Sequence, residues 1–314
     1  MRALRVHAWG RPPRLEEGPD PVPAEGESLV EIEAATVGHL DRTIWGGGFL
    51  RPPKLPYIPG VEGAGRVLAG ARFEPGRRVW VRGGGLGVAR DGTWAERVVV
   101  PDAALGPLPD GVPMAVGAAF FSPCTSAWVA LHGVAAVRPD DRVLVTGAGG
   151  AVGSVAVQLA GEAGAAVSAL VTDPAGFAAD GVEVLTALAD VEPFDVIIDT
   201  VGGAVLAGCL EQVASGARVV VVGYLAGHEL TLDLPAFVQR NASLLPLNMI
   251  AREAEGRAAV PDLLDRLAEG RLTVGTTEFP LEDVASALAW LGQRGHRGRA
   301  VLRVGGPPEG DAPS

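Results

Sequence analysis

Residues 146–153 read TGAGGAVG, with Gly147, Gly150 and Gly153 standing three apart. That spacing suits a turn around an anion. The first glycine permits the tight bend and the second lets the backbone come close to a pyrophosphate. The third lets the next helix pack on its strand, leaving free N-terminal amides toward the negative charge. The chemistry on offer is dinucleotide binding and, through it, hydride transfer. The chain has 2 tyrosines, Tyr57 and Tyr224, and either could give a proton to a developing enolate within hydrogen-bond reach. Tyr57 sits in the proline-rich turn LPYIPG, where packing is the expected role. Tyr224 follows VVVVG at a strand end, where ligands of doubly wound sheets bind, and is the better site candidate.

The elements that must position these groups are legible around them. DRVLVT (141–146) predicts a strand, and residues 152–163 predict a helix with Val155, Ala156, Leu159 and Ala160 inward. A further strand follows, all within about 30 residues, which is the context that the glycine motif requires. A glycine-rich turn that binds no nucleotide is the plain alternative. FDVIIDT (194–200) and ARVVVVG (217–223) are continuous apolar runs of the kind found in a parallel sheet covered on both faces. Helical spacing runs through 127–135. Before residue 100, short β-type runs such as SLVEIEA (28–34) and RRVWVRG (77–83) alternate with glycine- and proline-rich turns. Near the end, helices at 260–268 and 281–291 and a strand at 300–304 are expected to return to this first module. The fold class is α/β: a β-rich module plus a doubly wound parallel sheet.

With 314 residues, the chain exceeds the roughly 250–300 at which single cores stop growing, so two domains are expected. The net charge of −11 opposes binding to phosphate backbones, so no nucleic-acid partner is expected. The apolar stretch 143–171 holds Gln158, Glu162 and central glycines, and reads as strand, helix and strand rather than a membrane span. The 2 cysteines, Cys124 and Cys209, form neither a metal-ligand spacing nor a disulfide framework. No charged-then-apolar leader follows Met1, so a cytoplasmic protein is expected. Residues 305–314 (GGPPEGDAPS) lack apolar periodicity and are expected to be a frayed tail.

In order along the chain stand AATVGHLD (34–41), LPYIPGVEGAGRV (55–67), TSAWVALH (125–132), GAGGAVGSVAVQLA (147–160), DTVGG (199–203) and GRAVL (298–302). Through these segments the sequence resembles the medium-chain dehydrogenase/reductase superfamily, in its zinc-independent quinone oxidoreductase-like branch. The resemblance implies a GroES-like catalytic domain built from residues 1–115 and 252–314, with a Rossmann domain of residues 116–251 inserted between. It also implies a substrate cleft at the domain junction and a homodimer through the Rossmann sheet edge. Where the zinc alcohol dehydrogenases of the superfamily hold their metal with cysteine, histidine and cysteine, this chain has Gly38, Val61 and Ser122. Glycine and valine offer no lone pair and serine is a poor zinc ligand, so no zinc is expected. Glu62 survives beside these positions and reads as structural, as does Asp41. Leu40 replaces the hydroxyl of the proton relay. Hydride delivery to an electron-poor quinone or α,β-unsaturated carbonyl is what stays practicable.

The resemblance implies cofactor contacts from Ser126, Gly147, Gly149, Gly150, Ala151, Val152, Gly153, Thr172, Thr200, Val201, Gly223, Tyr224, Asn248 and Arg299. His39 falls where relatives carry a basic residue near the pyrophosphate, so cofactor contact and proton donation compete with a surface-loop histidine. Trp45, Phe49 and Leu50, in the glycine-hinged loop IWGGGFL, and Tyr57 are the expected lining of an apolar substrate pocket. At the end of the second Rossmann strand, Val171 takes the acidic ribose-binding position. Thr172 and Asp173 follow, with no Lys or Arg before Arg218. The segment 173–195 is also shorter than is usual in the family. NADPH is expected by resemblance alone, with NADH as the alternative. Rival readings are an enoyl reductase acting on a thioester or polyketide-type intermediate, and a nucleotide-binding relative with non-redox chemistry.

Overall fold

The computed structural model describes residues 1–49, 51–177, 179–293 and 295–305. The tail expected at 305–314 thus lies, beyond Gly305, outside the described residues. The chain divides into two units, Met1–Phe121 with Gly275–Ser314, and Ser122–Val274. In chain order the elements are β1 (Arg2–Arg5), β2 (Arg14–Glu17), β3 (Glu27–Val37), α1 (His39–Trp45), β4 (Glu62–Ala69), β5 (Arg78–Arg82), β6 (Arg97–Pro101), β7 (Leu105–Pro107), α2 (Met114–Ala119) and α3 (Phe121–Trp128). There follow β8 (Arg142–Thr146), α4 (Ala151–Glu162), β9 (Ala166–Leu170), β10 (Glu183–Leu185), β11 (Phe194–Asp199), α5 (Gly203–Leu210), β12 (Val213–Val221), α6 (Leu234–Arg240), β13 (Ser243–Pro246) and α7 (Glu253–Ala268). β14 (Thr276–Pro280), α8 (Val284–Leu291) and β15 (Arg299–Arg303) close the chain.

The first unit is built on a sheet ordered β14-β15-β3-β4-β5-β7, with β6 also pairing β3. Its long strand, β3, alternates half-buried and buried residues from Glu27 to Ala34, as expected of a strand with one covered face. The alternation gives way to a fully buried run at Ala34–Val37, where β15 pairs antiparallel and places Ala300 opposite Val37. Both chain ends therefore build this unit. Its core gathers Val30, Ile32, Val67, Val79, Trp94 and Leu302, among others.

The second unit carries a six-stranded sheet ordered β10-β9-β8-β11-β12-β13, and every neighbouring pair in it is parallel. Strands β8 and β11 are neighbours though β9 and β10 lie between them in sequence, so the strand order reverses there. Such a reversal opens a crevice beyond the carboxyl ends of the two strands, and the glycine turn after β8 stands at it. The apolar runs are buried: Val143, Leu144, Val145, Val196, Ile197 and Ile198 are fully covered. The segment expected as helix at 127–135 splits into α3 and a π-type coil, Val129–Ala135, closed by left-handed Ala136 at φ 49°.

The return to the first unit falls at Gly275, whereas the family resemblance implies residue 252. The difference is α7, whose partners are in the second unit. A Cβ on Gly256 would lie 3.1 Å from the Thr125 side chain on α3, and Arg252 donates to the Gly133 carbonyl at 3.1 Å. Among the described residues, no helix is long and apolar enough to cross a membrane.

Candidate active site

One carboxylate ties the strand ends of the second unit together. Asp199, the last residue of β11, is 0 % exposed. Its Oδ1 accepts from the Thr146 hydroxyl at 2.6 Å and its Oδ2 from the Gly202 amide at 2.8 Å. Its carbonyl accepts from the amides of Val222 and Gly223 at 2.8 and 3.2 Å. Thr200 closes the set, its amide donating to Thr146 Oγ1 at 3.0 Å and its hydroxyl to the Thr146 carbonyl at 2.8 Å. Burial pushes the Asp199 carboxyl upward, and the Thr146 hydroxyl and loop amides pull it back. The ends of β8, β11 and β12 thus form one hydrogen-bonded floor.

On this floor the glycine turn has the geometry its sequence requires. Gly147 takes φ +59°, and a Cβ there would meet Thr200 Oγ1 at 2.6 Å. A Cβ on Gly153 would sit 2.3 Å from the Gly147 carbonyl oxygen, so only glycine lets α4 start against the turn. Gly150 is the N-cap of α4, with φ −76°; its own amide is spent on the Gly147 carbonyl at 2.9 Å. The amides of Ala151, Val152 and Gly153 have no backbone acceptor among the described residues. No acidic residue lies in the first turn of α4. Unfilled amides, a positive dipole end and glycines that a side chain would block fit a dinucleotide pyrophosphate.

Thr200 and Val201 line the neighbouring turn after β11, and Gly223 packs against it so closely that a Cβ would meet the Thr200 carbonyl at 2.3 Å. Thr172, after β9, is exposed and Ser126, on α3, is half-buried. Asn248 is exposed and uses its Oδ1 to accept from the Ile250 amide at 3.0 Å. Tyr224 is 62 % exposed and its ring lies 5.4 Å from that of His228.

In the first unit, Gly38 caps α1, and its amide donates to Asp41 Oδ2 at 2.8 Å. Asp41 Oδ1 accepts from the Val61 amide at 3.1 Å, so this buried carboxylate joins the two loops that carry Gly38 and Val61. Burial pushes the Asp41 carboxyl up to about 6, against the pull of its two amides and Arg299. Glu62 is 1 % exposed. It is held by Arg299 Nη1 at 2.6 Å and faces Arg82 Nε at 3.3 Å. Arg299 also donates to the Ala119 carbonyl at 3.1 Å. A Cβ on Gly38 would lie 3.1 Å from Arg299 Nη2, so a guanidinium rests against the residue that stands at the first zinc-ligand position. His39 is half-buried, its ring 6.4 Å from that of His296. Desolvation holds it below the usual histidine range, aided by His296, Arg42 and Arg299.

Beside Val61 lies an apolar lobe. Val6, Ile44, Tyr57 and Val61 form its buried part, with Trp9, Leu40, Trp45 and Phe49 packed on it. Trp45 Nε1 donates to the Arg11 carbonyl at 2.6 Å. Tyr57 is 3 % exposed, and its hydroxyl has no hydrogen-bond partner among the described residues. Burial and the nearby Asp41 charge both raise its pKa. Leu50 lies outside the described residues.

Residues 24–110 match the alcohol dehydrogenase GroES-like domain, and residues 175–302 match the zinc-binding dehydrogenase domain. The chain is 32% identical over 306 residues to an acrylyl-CoA reductase of Ruegeria pomeroyi, covering 89% of this chain and 90% of that one. It is 30% identical over 294 residues to a zinc-type alcohol dehydrogenase-like protein of Schizosaccharomyces pombe, covering 87% of each. The quinone oxidoreductase of Thermus thermophilus, solved also with NADPH, superposes with a TM-score of 0.82. It is 29% identical, with 97% of this chain and 100% of that one covered. The chain belongs to the medium-chain dehydrogenase/reductase superfamily, in its quinone oxidoreductase-like branch. It is accordingly an oxidoreductase that uses a nicotinamide cofactor.

Within this reductase, sequence reasoning does not assign Asp199 or the Thr146 side chain to the site. DTVGG is the only signal for the first, and a threonine closing a strand gives none for the second. The pairing of Glu62 with Arg299 is equally hidden, because the two residues are 237 apart in sequence. Arg299, expected at the cofactor, has the buried Glu62 as its partner here.

Proposed function

We propose that this reductase works without zinc and delivers hydride from a reduced nicotinamide to a quinone or the β-carbon of an α,β-unsaturated carbonyl. The observation that carries the reading is the contrast between the two units. The pyrophosphate cradle is intact, whereas the first two zinc-ligand positions are Gly38 and Val61, neither with a lone pair to give. Ser122, at the third zinc-ligand position, adds only a hydroxyl, a poor zinc ligand. Among the described residues, no group of three or more His, Cys, Asp or Glu side chains could hold a metal ion.

When bound, the reduced nicotinamide supplies the hydride, so the protein's work is orientation and charge. The α4 amides and the floor under Gly147 would hold the pyrophosphate. The lobe of Trp45, Phe49 and Tyr57 offers an apolar wall with one unmet donor, suited to a flat conjugated acceptor with a carbonyl oxygen. The Tyr57 hydroxyl, whose pKa burial raises further above neutrality, would be the donor that hydrogen-bonds that oxygen and stabilises negative charge developing on it.

A second reading, an enoyl reductase of thioesters, is favoured by the acrylyl-CoA reductase relative, which matches along 90% of its length. Nicotinamide absorbance followed with a quinone, an enone and an enoyl thioester separates the readings by kcat/KM. Zinc or a chelator is expected to leave the rate unchanged. A rate that rises with added zinc and falls with the chelator would overturn the zinc-free reading. Simple alcohols as the best substrates would overturn the proposed chemistry.

A further inference from the structure

We infer that this reductase selects NADH over NADPH, because the loops around the position of the adenosine ribose carry acid and no base. The inference rests on the nicotinamide reading and goes against the resemblance, which favours NADPH. In a dinucleotide fold the ribose is read at the end of the second strand, by a carboxylate for a free 2′-hydroxyl or by a cation for a 2′-phosphate. Here that strand is β9. Its end is fixed beside the glycine turn, since the Ala148 amide donates to the Leu170 carbonyl at 3.3 Å and the Val171 amide to the Leu185 carbonyl at 2.9 Å.

Strands β8, β9 and β10 are parallel neighbours, so the segments that follow them all leave at the cofactor edge. Val171 is buried, and Thr172 and Asp173 are exposed. Asp173 Oδ1 accepts from the Ala175 amide at 2.8 Å, which holds the carboxylate close to the strand end. Asp190 lies in the segment after β10. From Val143 to Ala217 the sequence holds no Lys or Arg. Two arginines of the unit are engaged at the opposite edge: Arg218 on Asp141 at 2.6 Å, which precedes β8, and Arg266 on Glu162 at the far end of α4.

A 2′-phosphate brings a charge of about −1.5 to −2. It would meet the Asp173 carboxylate in a stretch of chain without Lys or Arg, in a protein whose net charge is already −11. A 2′-hydroxyl instead donates to that carboxylate. Calorimetric titration with NADH and NADPH measures the difference directly. NADH should bind at least about tenfold more tightly at low salt, and the ratio should narrow as salt screens the repulsion. Asp173→Asn keeps an acceptor for the Ala175 amide and removes the charge, so it should narrow the ratio several-fold. Asp173→Lys should invert it. Wild type binding NADPH as tightly as NADH, or more tightly, overturns the inference and leaves the nicotinamide reading standing. Failure to bind either cofactor overturns both. A ratio unmoved by both variants, with melting temperatures unchanged, overturns the role of Asp173.

Discussion

A buried hydroxyl with no partner costs the folded state on the order of 1–3 kcal/mol, and the Tyr57 hydroxyl is in that position among the described residues. Tyr57→Phe keeps the ring that packs with Ile44 and Val61 and removes only the oxygen. The variant should therefore melt at or above the wild-type temperature, while kcat on a conjugated carbonyl falls roughly a hundred- to a thousandfold. Lower stability with unchanged turnover would assign the hydroxyl to the fold instead. Asp41 gives a second test, through pH. Its carboxyl titrates at about 6 in the folded chain against 3.8 for an ordinary aspartate. Between those values the folded state binds the extra proton, so stability rises as pH falls through 6 and the gain is complete below 3.8. Relative to Asp41→Asn, unfolding free energy should shift in favour of wild type by on the order of 3 kcal/mol across that window. A difference that stays flat with pH would show that Asp41 is not buried as a charge.

At the scale of elements, Gly150 and Gly153 look alike in sequence and differ in the turn. A Cβ on Gly153 would press into the Gly147 carbonyl at 2.3 Å, whereas one on Gly150 would meet the same carbonyl at 3.2 Å, a tight contact that a shift of a few tenths of an ångström relieves. Gly153→Ala should thus lower stability by roughly 1–3 kcal/mol. Gly150→Leu should cost less stability than Gly153→Ala and abolish cofactor binding, as read by titration; retained affinity would remove Gly150 from the cradle. The strand, turn and helix here are legible because β8 and α4 are consecutive and their apolar periods are clean. The π-type coil at Val129–Ala135 is not, since its apolar spacing resembles that of an α-helix over so short a run. The unmet hydroxyl of Tyr57 is hidden as well, because a proline-rich turn gives no sign of what it packs beneath. Tyr224 leaves its strand end into solvent, and a residue following a strand carries no mark of which way it will turn.

Across the whole molecule, both chain ends in one unit and a parallel sheet in the other are readable from β-type runs, glycine turns and motif order. The boundary at Gly275 is not, because the amphipathic stripe of α7 shows that it packs and not on which neighbour. Buried ion pairs such as Glu62 with Arg299 escape a linear reading for the same reason, since desolvated charges choose partners by space and not by sequence. The Asp199 hub has a wider consequence. It locks the ends of β8, β11 and β12 into one unit, while the backbone bonds at the β9 end run to the Gly147 turn and to β10. A substitution at the hub would disturb three strand ends at once. The β9 edge can accumulate changes singly, which makes it the part of the fold where a lineage could exchange one electron-carrier pool for another without rebuilding the rest.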